Sequence, residues 1–198
     1  MQFYKQTTKY TCAPAALMMI INHFKPSFKL SKVNEYLIWH EAVVLPIRAA
    51  SVYGLALFAY NQGLKFRIWA QNLEYDFPDY RFKGYKKDDV EEARFMSKIY
   101  LSKLKNLNIV VEERDFGIKE VKKLLYEGKI ILLRLDAGVF RENGRTANYV
   151  VVTEEKKGRY IIYDPMQGKI AISEEKLKES LKDLVEKRRR DHKMIIFG

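Results

Sequence analysis

A single cysteine, Cys12, stands two residues before Pro14 at the head of an apolar run, Ala15-Ala16-Leu17-Met18-Met19-Ile20-Ile21. That context predicts a thiol at the N-terminus of a helix. Proline is well tolerated in a first helical turn, where its missing N–H is not needed. The unpaired N–H groups there, with roughly half a positive charge, stabilise a thiolate and should pull its pKa below the ~8.5 of a free cysteine. Gln6 lies six positions upstream. Its side-chain amide can aim an NH2 at the point addressed by the Cys12 backbone N–H, and two converging donors suit an oxyanion. An activated nucleophile is one reading. The other is that a lone cysteine opening a buried helix is a small core residue. Spacing alone favours the core residue, and only the neighbouring motifs sharpen the case for a nucleophile.

Composition narrows the chemistry further. One cysteine excludes an internal disulfide and a cysteine-based zinc site, and three scattered histidines leave little for any metal or cofactor; none is expected. The 198 residues suit a single domain, 1–198, large enough to bury a core unaided. A hydrophobic fraction of 47% with 31% charged residues is that of an ordinary globular chain. The first ten residues lack the apolar stretch of a signal peptide, and no apolar run is long enough for a membrane span, so a cytoplasmic protein is expected. The net charge of +11 favours anionic partners without specifying a fold.

The elements that must position Cys12 follow from periodicity. Helices are predicted from Cys12 to Pro26, from a cap at Ser31 through Trp39, and from Ala49 to Gln62 with Gly63 as C-cap. The second of these carries Val33, Tyr36, Leu37 and Trp39. A strand over 65–70 precedes an aromatic and charged arm at 74–88, then a helix from Asp88 or Asp89 to Leu104. The second half reads as strands at 108–112, 129–135, 149–153, 160–163, 169–172 and 194–197. Helices are interposed at 118–126 and from Ser173 to Val185. Helices first and a mostly antiparallel sheet after them make an α+β plan.

Gln6, Cys12, Pro14, Ala15 and Leu17 resemble the opening motif of the bacteriocin-processing cysteine peptidases and their papain-like relatives. Asn148-Tyr149-Val150-Val151-Val152, followed by Asp164-Pro165 and Gly168, is similar to the strand and hairpin that carry the family's catalytic His and Asp. Glu35, Trp39, Glu41 and Ala42, with Gly54, Leu55, Ala56 and Gly63, resemble a C39-like branch of that family. The resemblance implies a papain-like fold in which the Cys12 helix packs on an antiparallel sheet bearing Asn148 and Asp164. It implies Cys12 as nucleophile, Gln6 as oxyanion donor and Asp164 as the group that orients the base. Two departures stand out: Ala13 replaces the usual Gly, and Asn148 stands where the family has its general base. Asparagine neither takes the thiol proton nor protonates a leaving amine. Loss of such a base costs on the order of 10⁶ in kcat, roughly 8 kcal/mol of barrier. The expectation is therefore a cysteine peptidase relative, impaired or inactive, for peptide or isopeptide amides. A non-catalytic peptide-binding or regulatory module is the alternative.

The remaining histidines offer little rescue. His23 lies about three turns along the first helix from Cys12. His40 belongs to the second helix, and His192 to a basic turn expected at the surface. The run Lys187-Arg188-Arg189-Arg190, with His192 and Lys193, is expected to be a solvated helix end. Contact with nucleic-acid phosphates is its alternative use.

Overall fold

The computed structural model describes residues 1–74, 84–141 and 147–198. Most of the arm expected at 74–88 lies outside the described residues.

Six helices and nine strands alternate along the described chain. They run α1 (Cys12–Phe24), α2 (Lys32–Ala42), β1 (Val43–Val44), β2 (Ala49–Ala50), α3 (Val52–Asn61) and β3 (Phe66–Ala70). Then come α4 (Lys87–Asn106), β4 (Val111–Glu113), α5 (Ile118–Tyr126), β5 (Ile130–Asp136) and β6 (Ala147–Lys156). Strands β7 (Arg159–Asp164) and β8 (Gly168–Ser173), helix α6 (Glu174–Glu186) and strand β9 (Lys193–Phe197) complete it. Serine side chains cap three helices as N–H acceptors: Ser31 for Asn34, Ser51 for Tyr53 and Ser173 for Lys176.

Strands β3 to β9 form one seven-stranded sheet in the order β4-β3-β9-β5-β6-β7-β8. Only the β3–β4 pair is parallel. Alternation along the central strands feeds two cores. Ile130, Leu132, Val151, Ile195 and Phe197 face α1 and α3, whereas Ile131, Leu133, Val150, Met194 and Ile196 face α5 and α6. Nine consecutive residues of α1, Ala13 to Ile21, are buried, as befits a helix apolar on nearly all sides.

One local expectation needs correction. Ala49-Ala50 is a short strand paired with Val43-Val44, and α3 begins only at Val52, after the Ser51 cap. Helix α2 buries Glu35, Ile38 and Ala42, while Val33 and Leu37 are 69% and 51% exposed. The buried Glu35 carboxylate is fully used. It accepts from Thr7 N at 2.9 Å, Thr7 Oγ1 at 2.7 Å and Tyr4 OH at 3.1 Å, stapling the segment upstream of Cys12 onto α2. Burial, with that carboxylate beside it, pushes the Tyr4 phenol up to about 12.

The end of α2 meets α3 backbone to backbone. A Cβ on Gly54 would lie 2.7 Å from Ala42 Cα and 3.1 Å from Ala42 O. Elsewhere in a helix, Gly→Ala gains up to about 1 kcal/mol. Here Gly54→Ala should instead cost about 1–3 kcal/mol through overpacking, lowering Tm by roughly 2–4 °C per kcal/mol. Calorimetry showing an unchanged or higher Tm would refute that close approach.

Candidate functional site

Cys12 is the first residue of α1, and its helix packs across β6. Strand β6 begins at Ala147 and delivers Asn148 to the helix N-terminus. The Cys12 thiol donates to Asn148 Oδ1 at 3.2 Å, across 136 residues of sequence. Cys12 is half-buried, yet its sulfur is crowded enough that loss of water pushes the thiol pKa above its usual value. Backbone N–H groups of Tyr149 and Ala13 and the positive field of Arg141 work against that rise, and the Asp164 carboxylate adds to it. The lowered thiol pKa expected from the helix N-terminus is thus overturned. Dipole and donors are present, but desolvation of the charged form outweighs them.

Asp164 ends β7 and is fully buried. Its carboxylate is held by a two-pronged guanidinium contact, Arg141 Nε to Oδ2 at 2.7 Å and Arg141 Nη2 to Oδ1 at 2.6 Å. Met166 N and Gln167 N also donate to Oδ1, at 2.7 and 3.3 Å. Asp164 therefore serves an ion pair and a turn. The guanidinium's other nitrogen reaches Met166 Sδ at 3.2 Å. Arg141 was not singled out from the sequence, and nothing in its neighbours there marks it.

Gln6 is tied to the same region through its backbone: its N–H donates to Pro165 O at 2.9 Å. Its side-chain Nε2 donates to Thr8 O at 2.6 Å. Oε1 is buried and finds no hydrogen-bond partner among the described residues. The amide is committed to its own loop in this state.

Beside Cys12 and Asn148 opens a cavity of about 360 Å³. Arg134 from β5, Arg190 from the α6–β9 loop, Arg48 and Lys9 supply its charges. Arg134 has a readable signal, since a cation between Ile130-Ile131-Leu132-Leu133 and Leu135 must be paired or face a cavity once that strand is buried.

The histidines lie elsewhere. His40 is exposed on the outer side of α2, in a groove with Val33, Leu37 and Trp39. His23 is in the last turn of α1. His192 is not at the surface as expected. It is 9% exposed, with Nε2 at 3.0 Å from Leu181 O and Nδ1 at 3.4 Å from Asp115 Oδ1. The basic run is a solvated helix end only in part: Lys187, the C-cap of α6, and Arg189 are exposed, but the rest is not. Arg188 pairs with buried Asp136 at 2.7 Å, Lys187 with Asp183 at 2.6 Å, and Lys193 is fully buried in β9. The chain turns back into the sheet here and carries Arg188 and Lys193 inward with it. Among the described residues, no group of three or more His, Cys, Asp or Glu is placed to hold a metal. No described helix is long and apolar enough to cross a membrane.

No curated protein matches the sequence significantly. Among solved structures, the chain is similar to a double glycine motif protease from an AMS/PCAT transporter, solved in complex with the leader peptide. That match has a TM-score of 0.55 at 13% identity and covers 100% of this chain and 91% of that one. It is also similar to the peptidase domain of Streptococcus ComA, a bi-functional ABC transporter involved in a quorum-sensing pathway. There the TM-score is 0.50 at 11% identity, covering 100% of this chain and 98% of that one. At such identities the likeness carries the fold, a papain-like C39 peptidase fold. The sequence itself matches the family described as Peptidase_C39 like, DUF3335, over residues 1–195, and the chain belongs to that Peptidase C39-like family.

Proposed function

We propose that this protein presents a C39-like thiol site to a peptide or isopeptide amide, and that hydrolysis there is impaired at the proton-transfer step. The observation that carries the reading is the thiol's donation to Asn148 Oδ1 at 3.2 Å. An amide oxygen holds the proton but does not accept it as a base at any useful pH. The upward push on the thiol pKa keeps the nucleophile protonated near neutrality. A peptide as ligand is supported by the similar protease solved with its leader peptide. Without turnover, the same groove acts as a peptide-binding module.

Iodoacetamide labelling of Cys12 against pH should climb steadily and turn over only above the ordinary thiol range. The raised pKa means that the protonated form persists to higher pH than in a free thiol. Fast labelling that stays flat from pH 5 to 8 would require a thiolate–base pair and would overturn the reading.

Asn148→His places an imidazole against the sulfur. The thiol pKa should then fall by about one unit or more as a thiolate–imidazolium pair forms. Turnover of fluorogenic peptides should rise by at least ~10³-fold over the unmodified protein. Because Arg141 already engages both oxygens of Asp164, that carboxylate would orient the new imidazole only in part. Cys12→Ala in the same background should abolish both effects. Unmodified protein that already turns over as fast as the His variant would sink the proposal.

A further inference from the structure

The charge of the Cys12 cavity is one-sided. Lys9, Arg48, Arg134 and Arg190 line it, and no Asp or Glu does so among the described residues. Two of these cations are built in. Arg134 is 2% exposed in β5 and pairs through Nη2 with Asp191 at 3.1 Å. Arg190 sits in a loop pinned on both sides. Before it, Arg188 Nε meets buried Asp136 at 2.7 Å; after it, Asp191 meets Arg134 and, at 3.2 Å, Lys193 Nζ. Held between those pins, Arg190 borders the cavity with its Nε buried and no hydrogen-bond acceptor among the described residues. Asp191 offsets one charge of the Arg134–Lys193 pair and leaves the cavity cationic. Across the opening, Arg48 has a left-handed backbone, φ 59°, fixed in part by Trp39 Nε1 donating to its carbonyl at 3.3 Å.

We propose that this cavity is an anion subsite that takes a carboxylate of an acidic peptide beside Cys12. The proposal rests on the reading of the site as a peptide site and names its substrate class. Guanidinium forks match a carboxylate's two oxygens, and an anion would supply the acceptor that Arg190 Nε lacks. The carboxylate is either an Asp or Glu side chain or a peptide C-terminus, and both offer the same two oxygens.

The test compares the rates at which iodoacetate and iodoacetamide alkylate Cys12. Both require the same thiolate, so their ratio cancels the thiol pKa and reports local anion concentration. The iodoacetate/iodoacetamide ratio should exceed that of N-acetylcysteine amide by roughly ten-fold or more at low salt. Arg190→Gln, and separately Arg48→Asn, which tolerates the left-handed backbone, should each bring the ratio down by about three-fold or more. A ratio equal to that of the small thiol, unmoved by either substitution, overturns the anion subsite.

Protection of Cys12 from iodoacetamide then identifies the ligand. Three pentapeptides are compared: acetyl-Ala-Ala-Glu-Ala-Ala-amide, its Gln counterpart, and acetyl-pentaalanine with a free C-terminus. Stronger protection by the Glu peptide or by the free C-terminus supports the proposal and identifies the carboxylate's source. Equal protection by all three overturns the subsite while leaving the peptide reading standing. A high ratio with no protection by any peptide overturns the acidic-peptide assignment together with the peptide reading.

Discussion

Strands β5, β6 and β9 are covered by helices on both faces, so a polar side chain near their ends cannot fall back on bulk water. It must meet a counter-charge, a backbone group or a cavity. The surroundings of Cys12 follow from this constraint. Asp164 meets Arg141, Asp136 meets Arg188, and Arg134 meets Asp191, each at 3.1 Å or less. Asn148, at the start of β6, meets the thiol itself. The same dryness that makes these pairs obligatory raises the thiol pKa, because a thiolate there would have to be solvated by a few N–H groups and one guanidinium field.

Buried pairs of this kind are weak evidence for added stability, since desolvation offsets much of the attraction. Their consequence is positional. A guanidinium clamped on both oxygens of Asp164 fixes the β7–β8 turn, and Pro165 in that turn receives the Gln6 N–H. Glu35 holds the same N-terminal segment from the side of α2. The stretch leading into Cys12 is thus located by two anchors from different layers of the fold.

Much of this was legible in the sequence. Periodicity located all six helices and every strand of the large sheet, because long amphipathic or β-branched runs bounded by caps leave few alternatives. The meeting of Cys12 with Asn148 followed from a resemblance and not from spacing, since 136 residues separate them. What escaped depends on tertiary context. The burial of Glu35 in α2 could not be read without knowing that its carboxylate has partners at Tyr4 and Thr7. Arg141 has no local pattern at all, and the fate of the basic run turned on where the chain goes after α6. The upward shift of the thiol is hidden in the sequence, because a helix terminus is visible there and desolvation is not.

The place of β9 bears on how the protein is made. This strand comes last in the described chain but lies inside the sheet, between β3 and β5. Until residues 193–197 emerge, β3 and β5 have no common neighbour and the sheet is split into two incomplete halves, each with an open edge. Pairings across such sequence distances are slow to form, and open edges invite the wrong partner. Until β9 is in place, the first helix therefore has only an incomplete sheet to pack on. Without β9, the edges of β3 and β5 are open to mispairing.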